Sequence, residues 1–170
     1  EESSPLSDDI SALAPGVTSF KISAGAVSTS NNAAVTLNNT ATNGPTHYMA
    51  SEDSGFVGAI WQKYSTAPSF ALSSGSGEKK VYFKVKNFFN ESASANDIIS
   101  ALAPAVTSFK INAGAVSTAN GIVKLNNVAT NSPTQYMASE DSSFIGASWQ
   151  TYSTAPSFTQ IGGAWCRASE

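Results

Sequence analysis

Large apolar residues in this chain recur at every second position in short runs. Phe20 and Ile22 alternate with Ser19 and Lys21, and Val35 and Leu37 alternate with Thr36 and Asn38. A period of two puts successive side chains on opposite faces of an extended strand. The clearest run is Lys80-Val81-Tyr82-Phe83-Lys84-Val85-Lys86. It predicts a strand that buries Val81, Phe83 and Val85 and turns Tyr82, Lys84 and Lys86 to solvent. Turn-forming clusters separate the runs: Ser30-Asn31-Asn32, Thr42-Asn43-Gly44-Pro45 and Ser73-Ser74-Gly75-Ser76-Gly77. Helical periodicity is nowhere sustained, and at most a helical turn is expected near residues 11–14 and 100–103. Short strands with a turn every ~8 to 12 residues predict an antiparallel β-sandwich.

The pattern occurs twice. Ser11-Ala12-Leu13-Ala14-Pro15-Gly16-Val17-Thr18-Ser19-Phe20-Lys21-Ile22 returns as Ser100-Ala101-Leu102-Ala103-Pro104-Ala105-Val106-Thr107-Ser108-Phe109-Lys110-Ile111, an offset of 89. The offset falls to 88 after Thr29, where the shorter hairpin turn Asn120-Gly121 stands in the second copy. Tyr48-Met49-Ala50-Ser51-Glu52-Asp53 returns at 136–141, Trp61-Gln62 at 149–150, and Tyr64-Ser65-Thr66-Ala67-Pro68-Ser69-Phe70 at 152–158. A repeat of this length is a whole small domain. Two tandem sandwiches are therefore expected, over residues 11–99 and 100–170, in an all-β chain.

Phe20-Lys21-Ile22, Val35-Thr36-Leu37-Asn38-Asn39, Pro45-Thr46, the Tyr48–Asp53 and Tyr64–Phe70 motifs and Lys80–Asn87 carry a likeness. The chain resembles the immunoglobulin-like or fibronectin-III-like repeats of bacterial surface proteins over nearly its whole length, up to Phe158. That resemblance implies spacers, adhesins or filament subunits rather than enzymes, and an extracellular or cell-surface location. With one cysteine, Cys166, the usual immunoglobulin disulfide is absent, so each module is expected to pack around Trp61 or Trp149.

Charged residues are 12% of the chain and the formal net charge is −3, which disfavours nucleic acid and anionic membrane as partners. No stretch approaches the ~18 apolar residues of a membrane span, and no leader-type segment opens the sequence, so an exported protein would stand here in mature form. No nucleophile elbow, phosphate loop or Cys-x-x-Cys is present. The single histidine, His47, is matched by Gln135, which argues for an exposed strand residue rather than a catalytic one. No enzyme activity and no cofactor are expected. The paired carboxylates Glu52-Asp53 and Glu140-Asp141 are weak calcium candidates, set against loop residues that bond their own backbone. Trp61 with Tyr64, and Trp149 with Tyr152, are suited to stack on surface glycans if exposed, or to fill the core if buried. Asn38-Asn39-Thr40 and Asn90-Glu91-Ser92 fit the glycosylation acceptor pattern.

The two copies differ at their ends. After Phe158 the second copy continues only through residues 159–170, enough for a penultimate strand carrying Trp165 and Cys166 but not for a last one. Residues 1–10 match 90–99 at the repeat offset of 89, with Glu2, Ser3, Asp8 and Ile10 identical to Glu91, Ser92, Asp97 and Ile99. They read as a donor-like strand with Leu6 and Ile10 as its large apolar residues. The expectation is a head-to-tail homopolymer in which this strand completes a neighbour's second module, as in a pilus-like filament. The alternative is a monomeric adhesin or carbohydrate-binding module from a longer repeat array.

Overall fold

The computed structural model describes residues 12–160, which are β-strands, turns and two single 3-10 turns. The chain divides after Leu102 into two compact units, three residues beyond the boundary expected from the repeat, because the last strand of the first unit runs on to Leu102.

In the first unit the strands are β1 (Gly16–Ile22), β2 (Ser28–Ser30), β3 (Ala34–Thr42), β4 (His47–Ser51), β5 (Gln62–Lys63), β6 (Ser69–Ala71), β7 (Gly77–Lys86) and β8 (Ala95–Leu102). They form a three-stranded sheet in the order β1-β3-β6 and a five-stranded sheet in the order β2-β8-β7-β4-β5. All pairs are antiparallel except β2 with β8. The opening strand thus serves both sheets. The switch is made at Ser23, Ala24 and Gly25, whose φ angles of 46°, 57° and 88° lie in the left-handed region. The Ala24 N–H is held by Asn38 Oδ1 at 2.7 Å, which supports a conformation that alanine disfavours.

The interior between the sheets comprises Phe20 and Ile22 from β1, Val35 and Leu37 from β3, Tyr48 from β4, Val81, Phe83 and Val85 from β7, Ile99 from β8, and Leu72. Phe83 is its centre, stacked on Phe20 at 5.0 Å and on Tyr48 at 5.5 Å. The inward face predicted for residues 81, 83 and 85 is therefore observed. Packing around tryptophan is not. Trp61 lies just ahead of β5, outside the core cluster and half-buried, and Trp149 is exposed; the aromatic volume at the centre comes from Phe83. The helical turns expected near 11–14 and 100–103 are also absent from the described residues. Residues 12–15 are irregular, 100–102 belong to β8, and the 3-10 turns fall instead at Ser23–Gly25 and Asn112–Gly114.

The second unit contains β9 (Ala105–Ile111), β10 (Ile122–Thr130), β11 (Gln135–Tyr136), β12 (Gln150–Thr151) and β13 (Ser157–Thr159). Strands β13-β10-β9 form one sheet and β11-β12 another. These are the counterparts of β1, β3, β6, β4 and β5. Nothing among the described residues corresponds to β2, β7 or β8. The penultimate strand expected after Phe158 falls on residues 161–170, outside the described residues.

Candidate assembly surface

Each strand of the second unit has a counterpart in the first, so the two inner faces can be compared residue by residue. Phe20 and Ile22 are 7% and 0% exposed, whereas Phe109 and Ile111 are 56% and 44% exposed. All seven residues of β9 are exposed. Val123 and Leu125 of β10 remain buried, as Val35 and Leu37 are. The sequence is nearly the same in both places; the difference is the covering layer. In the first unit β7 and β8 supply it with Val81, Phe83, Val85 and Ile99.

The backbone adds a directional feature to this face. Leu37 and Asn39 turn their N–H groups towards the β6 side, onto Pro68 O and Thr66 O, each at 2.8 Å. Ile22, directly opposite Leu37, therefore has an N–H that points away from β3, because antiparallel pairs alternate between bonded and non-bonded. Asp97 of β8 takes it, with Oδ2 accepting at 2.9 Å, while Oδ1 lies 3.7 Å from Lys21 Nζ. In the second unit Leu125 donates to Pro156 O at 2.9 Å and lies opposite Ile111. The Ile111 N–H consequently points out from β9, and among the described residues no carboxylate accepts it.

The other residues singled out from sequence are placed as follows. Glu52 Oε2 accepts from the Ser73 N–H at 2.8 Å. Asp53 accepts from the Gly55 N–H at 2.9 Å and the Val57 N–H at 3.3 Å. Asp141 accepts from the Ser143 N–H at 2.9 Å, and Glu140 is exposed. Asp53 and Asp141 thus tie their own loops, Glu52 ties its loop to the one at Ser73, and among the described residues no cluster of three or more metal-ligating side chains forms. Trp61 has Lys84 Nζ and Lys86 Nζ over its ring at 5.2 and 4.6 Å, so a sugar stacking there would have to displace two ammonium groups. Tyr64 packs against the core edge. Trp149 is open to solvent, and the Tyr152 hydroxyl donates to Asn127 Oδ1 at 2.8 Å. His47 is exposed, its Nδ1 3.0 Å from Thr46 Oγ1. Leu6, Ile10, Trp165 and Cys166 lie outside the described residues.

Lys84 is not the freely solvated residue that the alternation implied. Its Nζ stands over the Phe56 and Trp61 rings at 4.9 and 5.2 Å and pairs with Glu91 at 2.9 Å. Lys110 is the one ionisable group in a shallow depression on the opposite side of β9, lined also by Ser108, Asn126, Asn127, Val128, Thr154 and Ala155.

Two features of the surface were not singled out from the sequence. The outward direction of the Ile111 N–H follows from strand register, which no single position reveals. The Asp97 carboxylate was within reach: Asp8 and Asp97 match at the repeat offset of 89, and a charge at a strand position flanked by inward apolar residues is a signal. Comparison with models of protein families, and separately with curated proteins, gives no match for this chain.

Proposed function

We propose that the chain is a non-enzymatic structural protein of the cell exterior, built from immunoglobulin-like modules and assembling head to tail by strand donation. The observation that carries this reading is the uncovered inner face of the second unit. A sandwich half with Phe109 and Ile111 open to water, beside a repeat in which the same residues are sealed, is an acceptor for a covering strand. The split first strand of the first unit, followed by the order β2-β8-β7-β4-β5 in the larger sheet, supports the immunoglobulin-like reading. A donated strand whose own module accepts another generates an open chain of subunits rather than a closed ring. The acceptor needs no catalytic group, and a surface low in charge suits a scaffold exposed to variable surroundings.

Light scattering and electron microscopy of the purified chain, with and without residues 1–10, test this. Concentration-dependent filaments that vanish on deletion are expected. A full chain that stays monomeric at high concentration, or a deleted chain that still polymerises, refutes strand donation. Retention on a glycan array that is lost on Trp149→Ala, with a monomeric mass, would instead favour the adhesin.

A further inference from the structure

We infer that residues 1–13 of a second copy of this chain dock on the second unit in the register of β8, locked by the Asp8 carboxylate on the Ile111 N–H. The inference rests on the strand-donation reading and specifies its register and polar anchor.

Three observations meet at this position. The first is the pattern of β8 itself, in which Ala95 and Asp97 are half-buried and Ile99 and Ala101 are buried, while Asn96, Ile98 and Ser100 face out. At the repeat offset of 89 the inward set becomes Leu6, Asp8, Ile10 and Ala12. Leu6 and Ile10 thus fall on the inward side together with the acid, and Ser7, Asp9, Ser11 and Leu13 fall outward, as Leu102 does.

The second is the link between sheets. Asp97 joins β8 to β1 by accepting the Ile22 N–H at 2.9 Å, with Lys21 alongside. Asp8, Lys110 and Ile111 are the same three residue types, each 89 positions away. The donor and the cation stand on β9 with no described partner of this kind. A carboxylate bound to a backbone N–H and flanked by an ammonium makes the stronger, charge-assisted sort of hydrogen bond. It also sets register, since a slip of one residue would place Ser7 or Asp9 at the wrong depth.

The third is the parallel edge. In the first unit β8 also pairs with β2, Ser28 opposite Ser100, Thr29 opposite Ala101 and Ser30 opposite Leu102. The Ser100 N–H donates to Val27 O at 3.1 Å, and Leu102 O accepts from the Asn31 N–H at 3.0 Å. The corresponding segment of the second unit, residues 117–119, forms no strand. Its kink at Asn112–Gly114 has the same left-handed geometry as Ser23–Gly25. The chain is therefore delivered to the correct side, and among the described residues no strand lies beside it. Residues 11–13 of the docked copy would pair with it.

The test uses the full chain and three variants, Asp8→Ala, Asp8→Asn and Lys110→Ala, with assembly followed by light scattering across a concentration series. Asp8→Ala should raise the concentration needed for assembly tenfold or more, because it removes both the acceptor and the charge. Asp8→Asn keeps an acceptor oxygen and should raise it only a few-fold, as should Lys110→Ala. Hydrogen exchange on the parent should show the amides of residues 108–113 slowing on assembly. If the parent assembles but Asp8→Ala does so at the same concentration, the register is wrong while strand donation stands. If the parent never assembles, both fall.

Discussion

Phe20 and Phe109 occupy the same place in two copies of one repeat, so replacing each by alanine compares burial at nearly constant local sequence. Phe20 is 7% exposed and stacks on Phe83 at a centroid distance of 5.0 Å. Its removal opens a cavity between two sheets that cannot close, and Phe→Ala changes of this kind cost about 3–5 kcal/mol. The loss of one stacked ring contact, worth about 0.5–1.5 kcal/mol, falls within that range. Phe109 is 56% exposed and has no ring partner among the described residues. Less than half of its area is out of water, so the transfer term is about 1 kcal/mol or less and the cavity term is near zero. Denaturant titration of dilute protein, with each unit followed by its own hydrogen-exchange peptides, should show Phe20→Ala lowering the first unit by several kcal/mol. Phe109→Ala should leave the second almost unchanged. In concentrated, assembled protein the second penalty should grow by part of the difference, because the docked segment stands in the place of β8 while the ring stacked on Phe20 belongs to β7. Equal penalties in dilute protein would mean that the inner face of β9 is already sealed, and the reasoning would fail.

Three further outcomes follow from the first unit. Lys84→Ala should cost about 1 kcal/mol rather than a surface-typical few tenths, since the lysine joins Glu91 and two aromatic rings while keeping partial exposure; thermal unfolding in low and high salt would check it. Asn39→Asp should cost about 3 kcal/mol, because Nδ2 donates to both Leu37 O and Ser65 O, each at 3.0 Å, and carboxylate oxygens would face those carbonyls in a buried place; calorimetry that finds less than about 1 kcal/mol would count against it. Burial raises the Tyr48 and Tyr64 phenols above their ordinary value of 10.0. The neutral phenol is favoured in the folded state, so this contribution is fully present below pH ~10 and is lost as pH rises through the higher folded values. Unfolding midpoints should therefore fall on the alkaline side, and less steeply in Tyr48→Phe.

What was legible in the sequence is what neighbouring residues decide among themselves. The two-residue period gave the inward set of β7, and the turn clusters separated the strands. The left-handed kinks at Ser23–Gly25 and Asn112–Gly114 form alike in both units, with Asn38 and Asn126 each holding the middle N–H at 2.7 Å, because the same short stretch of chain writes both. The loop at 53–59 likewise repeats at 141–147, with Phe56 and Phe144 at the same φ of 56°. Depth in the fold was not legible by the same route. Trp61 has the size of a core residue, yet it precedes the two-residue strand β5 and lies outside the core cluster, with the Lys84 and Lys86 ammonium groups over its ring. Aromatic size alone does not say which ring a sheet will enclose.

Strand β2 shows where local instruction ends. Ser28–Ser30 and residues 117–119 follow the same kink and have nearly the same sequence, Ser-Thr-Ser against Ser-Thr-Ala. Only the first is a strand, and only the first has β8 beside it. Three residues in parallel pairing, with small polar side chains and one flank open, bury too little to order themselves, so their order is borrowed from the strand next to them. The same dependence runs through β9, whose residues are all exposed where those of β1 include two buried ones. Among the described residues the second unit repeats β1, β3, β4, β5 and β6 of the first and has no counterpart of β7 or β8. Under the strand-donation reading, residues 1–13 of a second copy would stand where β8 stands in the first unit. Hydrogen exchange separates this account from one in which the second unit is complete in itself. In dilute protein the amides of residues 117–119 should exchange at close to unprotected rates while those of Ser28–Ser30 are slow, and assembly should slow 117–119 together with 108–113. Protection of 117–119 in the dilute monomer would mean that the missing neighbour is supplied from within the same molecule, and no donated strand would be needed.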